Sequence, residues 1–122
     1  MDNTAAEVEP ILRSLPARMR LDRIEGWGGV FHFVIVGAAK PDWTIEVKDA
    51  VCTVNEGLHG DPACVVKMSE KTFIAIETGT KNATFAFVKG KIKVTNVGAM
   101  RKYDRAFWKL YDTVDAAPPS AP

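Results

Sequence analysis

Residues able to do chemistry on their own are scarce in this sequence, which has two cysteines and two histidines in 122 residues. Neither pair stands at a spacing that builds a zinc site or a nucleophile with its base. Cys52 and Cys64 each fall inside a strand-like run, AVCTV and ACVVKM, and read as buried free thiols. His32 within VFHFVIV and His59 within GLHG lack a Ser, Cys or Asp partner at motif spacing, and read as packing or surface histidines. There is no carboxylate pair with an evident role, no metal set and no phosphate loop; GWGG lacks the spacing and the following helix of a nucleotide fingerprint and reads as a turn. The expectation is a protein that is not an enzyme, with no cofactor and no metal. An excess of one charge is missing too, since 16 basic residues face 15 acidic ones for a net +1, which argues against a general nucleic-acid binder. No apolar run approaches the roughly 18 residues needed to span a bilayer. MDNTAAEVEP has neither the basic start nor the apolar stretch of a secretory signal, so a cytoplasmic protein is expected.

What is present is apolar surface in regular patterns. At 47% hydrophobic and 25% charged residues the composition is that of a globular chain, and one of this length hides roughly 65 to 70% of its unfolded surface. A single domain over residues 1–114 is expected, followed by a Pro/Ala-rich flexible tail at 115–122. Val8, Ile11, Leu12 and Leu15 recur at helical spacing, with Pro10 early in that helix or kinking it and Pro16 ending it. Strands are expected from Val30 to Val36, over DWTIEVKD, over AVCTVN and over ACVVKM, with a tight turn near Asp49. Strict alternation in the second places Trp43, Ile45 and Val47 on a covered face and Thr44, Glu46 and Lys48 on a wet one. Ser69 caps a helix over EKTFIAIETG closed by Gly79, and Asn82 caps a short helix ATFAFVK stopped by Gly90. KIKVT is the fifth strand, and the chain ends in a helix with the stripe Met100, Tyr103, Phe107, Leu110 and Val114. One sheet with an apolar face and helices to cover it is an α+β arrangement.

The succession GWGGVFHFVI, DWTIEVKDAVCTV, DPACVVKMSEKTFIAIETG and TFAFVKGKIKV, followed by an amphipathic helix, resembles the sterol carrier protein type 2 family of sterol-binding or non-specific lipid-transfer domains. The likeness runs over about residues 11–112. Its most specific pieces are the passage M-S-x-x-x-F followed by T-G and the block A-F-x-x-G-K-I-K-V, and LPARM at 15–19 matches a segment of bacterial stand-alone members. The stretch Thr95-Asn96-Val97-Gly98-Ala99-Met100 departs from the family pattern by one residue, which implies a different entry for the last helix. The Ser-Lys-Leu ending of some eukaryotic members is replaced by Ser120-Ala121-Pro122, in keeping with the cytoplasmic reading.

The resemblance implies a five-stranded, mostly antiparallel mixed sheet with helices on one face, and between them an apolar tunnel holding a fatty acid, fatty acyl-CoA or sterol-like lipid. Apolar ligands bind largely by desolvation, at about 25 cal/mol per Å², so such a site carries no catalytic signature. The candidate lining is Phe31, Phe33, Trp43, Ile45 and Val47 from the strands, with Phe73, Ile76, Phe85, Phe87, Met100, Tyr103, Phe107 and Leu110 from the helices. Some of these are plain core. The outer face of the last helix, with Arg101, Lys102, Arg105 and Lys109 beside Trp108 and Tyr111, suits transient contact with an anionic membrane surface, while Asp104 and Asp112 dilute its charge. The alternative function is an accessory or interaction domain that presents an apolar substrate to a partner enzyme.

Overall fold

The computed structural model describes residues 4–108, with side chains from Val8 onward. Five strands, β1 (Gly29–Val36), β2 (Asp42–Lys48), β3 (Val51–Glu56), β4 (Cys64–Ser69) and β5 (Ile92–Val94), form one sheet in the order β3-β2-β1-β4-β5. β1 and β4 run parallel and every other neighbouring pair is antiparallel. Because side chains alternate along a strand, the register decides which residues share a face. Phe31 lies opposite Ile45 and Cys64, Phe33 opposite Trp43 and Val66, and Met68 opposite Ile92, so the apolar positions of all strands gather on one side. Phe31, Phe33, Ile35, Trp43, Ile45, Val47, Cys64 and Val66 are almost wholly buried there.

Helices cover that face: α1 (Thr4–Arg13), α2 (Leu15–Arg18), α3 (Glu70–Glu77), α4 (Ala83–Val88) and α5 (Val97–Ala106), with a 3₁₀ turn at Leu21–Arg23. The starts of α3, α4 and α5 are locally encoded. Ser69 Oγ accepts from Thr72 N, Asn82 Oδ1 from Phe85 N and Asn96 Oδ1 from Ala99 N, each satisfying an otherwise orphaned helix N–H. Two glycines are required by geometry. Gly90 follows α4 at φ +80°, a conformation that Cβ-bearing residues resist. A Cβ at Gly28, in the GWGG turn, would sit 2.5 Å from the Val47 carbonyl oxygen. The β2–β3 turn instead places Asp49 and Ala50 at φ +54° and +64°, the backbone of a two-residue hairpin that elsewhere favours Asn-Gly.

Three expectations are corrected. Pro16 does not simply end the first helix: it stands in the opening turn of α2, where its missing N–H costs nothing. Thr44, expected on the wet face, is buried because the loop after β3 folds across it; Thr44 Oγ1 donates to Gly57 O and accepts from His59 N, and His32 Nε2 bonds His59 O beside it. The last helix ends at Ala106, after Met100 and Tyr103 but before Phe107, the third residue of the predicted stripe. Phe107 is extended and bridges Met19, with Arg20 N donating to Ala106 O at 2.7 Å and Trp108 N to Arg18 O at 2.8 Å. That short ladder takes up the backbone groups a further turn would have used. Leu110, Tyr111, Val114, Lys109 and the expected tail at 115–122 lie outside the described residues.

Candidate functional site

Between β1, β4 and β5 of the sheet and α3, α4 and α5 lies a cavity of about 60 Å³. The sheet contributes Phe33, Met68 and Ile92, and α2 contributes Leu15 and Arg18. Phe73, Ile76 and Glu77 of α3, Ala83 of α4, Met100, Tyr103 and Asp104 of α5, and Phe107 and Trp108 complete the wall. The interior is apolar, and most of it is filled by rings. Tyr103 stands at the centre of an aromatic cluster, its ring centroid 5.1 Å from that of Phe31, 5.4 Å from Phe33 and 4.9 Å from Phe107, all in tilted packing. Burial pushes the Tyr103 phenol well above its ordinary pKa, Glu77 adding to the rise and Arg18 opposing it, so the ring stays neutral.

The charged lining residues are Arg18, Glu77 and Asp104. Arg18 is buried, yet each side of its guanidinium is used: Nε donates to Ser14 Oγ (2.9 Å), Nη1 to Glu77 Oε1 (3.2 Å) and Trp108 O (3.0 Å), and Nη2 to Ile11 O (3.0 Å). It thereby ties α1, α3 and the segment after α5 together around the rim. Arg20 lies 4.0 Å over the Trp108 ring on the outside of the same junction. The half-buried lining residues, Ile76, Glu77, Ala83 and Met100, mark where the cavity meets the surface.

Six of the expected lining residues meet here: Phe33, Phe73, Ile76, Met100, Tyr103 and Phe107. Phe31 backs them through its contact with Tyr103. Trp43 and Ile45 belong to the buried core outside the cavity; Trp43 Nε1 donates to Lys40 O, and Arg13 of α1 lies over the ring. Val47 borders a separate, open groove of about 840 Å³ between the 3₁₀ turn and the β2–β3 hairpin. Phe85 and Phe87 do not line the cavity. They are 62% and 41% exposed, because α4 is short and fully buries only Ala86. Leu15, Arg18, Met68, Glu77, Ala83, Ile92, Asp104 and Trp108 are lining residues the sequence reading did not name. The strand alternation that aligned Met68 and Ile92 would have found those two, and the LPARM segment contains Leu15 and Arg18.

A family model described as the SCP-2 sterol transfer family matches residues 9–107. The chain belongs to this family. Within it, this SCP-2 domain is 32% identical over 79 residues to sterol carrier protein 2 of Homo sapiens, a span of 62% of this chain and 14% of the human protein. Its fold is similar to palmitated SCP2L2 from Aedes aegypti, with a TM-score of 0.59, 21% identity, and coverage of 83% of this chain and 90% of that one. It is also similar to UbiJ-SCP2, a ubiquinone synthesis protein, with a TM-score of 0.61, 16% identity, and coverage of 94% and 93%. At such identities the structural likeness shows the fold alone. Among the described residues of the SCP-2 domain, no group of three His, Cys, Asp or Glu could hold a metal ion, and no helix is long and apolar enough to cross a membrane. Family membership makes this a lipid-binding and lipid-transfer type of domain.

Proposed function

We propose that the domain is a non-enzymatic cytoplasmic carrier that holds a fatty acid, fatty acyl-CoA or sterol-like ligand between the sheet and α3, α4 and α5. The observation that carries this reading is the largely apolar cavity bordered by the Arg18–Glu77 pair, which matches an amphiphile with a long apolar body and a polar head. Ligand sites usually occupy about 300 to 1,000 Å³, well above the 60 Å³ of this cavity. Loading therefore requires rings to move, and the loaded form is a wider state of the same pocket, drawn from the ensemble by the ligand. Tyr103 and Phe107 are the rings in the way, since both line the cavity, pack on each other and hang from α5 and the residue that follows it.

Transient contact with an anionic membrane through α5 belongs to the same reading: Arg101, Lys102 and Arg105 are exposed there, and Lys109 lies outside the described residues. The deciding experiment is native mass spectrometry of protein purified from its host, with extraction of whatever is bound. A set of masses separated by methylene units supports the carrier. Protein without lipid, and unable to take up acids of about 8 to 16 carbons after delipidation, would overturn it.

A second reading, an accessory domain that presents apolar substrate to a partner enzyme, is favoured by two facts. The chain spans only 14% of the human relative, and it shares its fold with a ubiquinone synthesis protein. Recovery of an enzyme in stoichiometric amount with the native protein separates this reading from a free carrier.

A further inference from the structure

Large apolar side chains at the surface are common singly but not in clusters. α4 exposes three on a helix of six residues: Phe85 at 62%, Phe87 at 41% and Val88 at 74%. At about 100° per residue, Val88 stands opposite the buried Ala86, with Phe85 and Phe87 on its two flanks. The covering helix thus directs most of its apolar side chains away from the core.

The charge along this stretch of the chain is of one sign. From Thr78 to Tyr103 the chain carries Lys81, Lys89, Lys91, Lys93, Arg101 and Lys102 and no Asp or Glu, in a protein whose net charge is only +1. The rest of the chain is therefore net acidic. Lys89 Nζ lies 5.3 Å from the Phe85 ring centroid, and Lys91 is fastened beneath α4 by its N–H to Ala86 O. The nearest carboxylates in sequence, Glu77 and Asp104, sit at the cavity, and Glu77 is held by Arg18. Apolar tips rimmed by cations fit a surface with acyl chains inside and negative headgroups outside.

We propose that α4 and the adjoining β5 edge of the sheet dock on an anionic lipid bilayer. Phe85, Phe87 and Val88 enter the boundary between headgroups and acyl chains, and Lys81, Lys89 and Lys91 lie on the headgroups. Ala83, the first residue of α4, lines the cavity, so docking by this face brings the cavity rim to the bilayer. That docking serves lipid uptake rests on the carrier reading; the docking itself does not.

The test is sedimentation of the full chain with vesicles of phosphatidylcholine alone and of phosphatidylcholine with about one-third phosphatidylserine. Binding should be confined largely to the anionic vesicles and weaken with salt. Reversal of Lys89 and Lys91 to Glu should lower it about fivefold or more per lysine, whereas Lys48→Glu on the β2–β3 hairpin should leave it close to wild type. Phe85→Ser with Val88→Ser should abolish it. Phe85→Trp, which supplies a better interfacial anchor, should strengthen it while the variant melts as wild type does and does not sediment without vesicles. Equal binding to both vesicle types, equal loss in the Lys48 and Lys89/Lys91 variants, or a Phe85→Trp variant no tighter than wild type overturns the proposal. So does self-association or capture of a protein through this face without vesicle binding. Uptake of a fluorescent fatty acid without vesicles is measured in parallel: retained uptake with failed docking refutes only the docking, and failed uptake with intact docking refutes only the carrier.

Discussion

Phe107→Ala tests whether an acyl chain occupies the cavity against Tyr103. Phe107 is 6% exposed, lines the cavity and packs at 4.9 Å on the Tyr103 ring. Truncation of a buried Phe to Ala costs about 3 to 5 kcal/mol, part of it a cavity term of about 24 cal/mol per Å³. An opening on the order of 100 Å³ accounts for about 2.4 kcal/mol of that. In a domain of this size the melting temperature should fall by about 10 °C or more. The same opening admits roughly three or four methylenes, each worth about 0.8 kcal/mol once buried. The longest acids that fit should then gain about 2.5 to 3 kcal/mol, close to 100-fold in Kd. Thermal melts and titration of delipidated protein with acids of increasing length read both quantities. Affinity should rise with length in wild type until the widened pocket is full, and the variant should reach its plateau several carbons later. A variant destabilised as expected, but with the wild-type plateau and affinities, would show that the acyl chain does not use this cavity.

Gly90→Ala should lose about 1 kcal/mol in denaturant unfolding with unchanged lipid preference, since φ is +80° there and no atom lies within 4 Å of an added Cβ. Ala50→Gly should gain about 0.5 to 1 kcal/mol, because Ala50 holds φ +64° in the hairpin turn; an unchanged midpoint would argue against that backbone. Arg18→Met should cost about 3 kcal/mol or more, as it strips the donors from Glu77, Ser14 Oγ and the carbonyls of Ile11 and Trp108. Glu77→Gln, which keeps an acceptor for Arg18, should cost less. Burial pushes the Cys52 thiol from 9.0 up to about 11 and raises the Tyr103 phenol above 10.0. Both groups hold their protons more tightly folded than unfolded, so stability should be level below about pH 9 and fall as pH rises toward 11, without native alkylation of Cys52 at pH 8. A thiol that alkylates at the rate of a free cysteine under native conditions would contradict its placement.

Much of this protein is written locally. The alternation of DWTIEVK placed Trp43, Ile45 and Val47 inward, and Ser69 and Asn82 announced two helix starts, because a strand's period and a cap's hydrogen bond each involve only a few neighbouring residues. The family was legible for the same reason, in short blocks such as KGKIKV whose order the chain preserves. The site was legible only in part. Apolarity marked Phe33, Phe73, Tyr103, Phe85 and Phe87 alike, and could not separate the side chains that enclose the cavity from the pair that α4 turns outward. That distinction depends on how a short helix is rotated against β5, which is a property of packing. Burial of Thr44 waited on a loop from beyond β3, and the end of α5 at Ala106 waited on Met19 arriving to pair with Phe107. Arg18 is buried because Ile11, Ser14, Glu77 and Trp108 converge on it, and no single stretch of sequence contains that convergence. Local hydrogen bonds and periodicity act over a few residues and can be read from the sequence; partners brought together by the folded chain exist only once the entropy of long loops has been overcome.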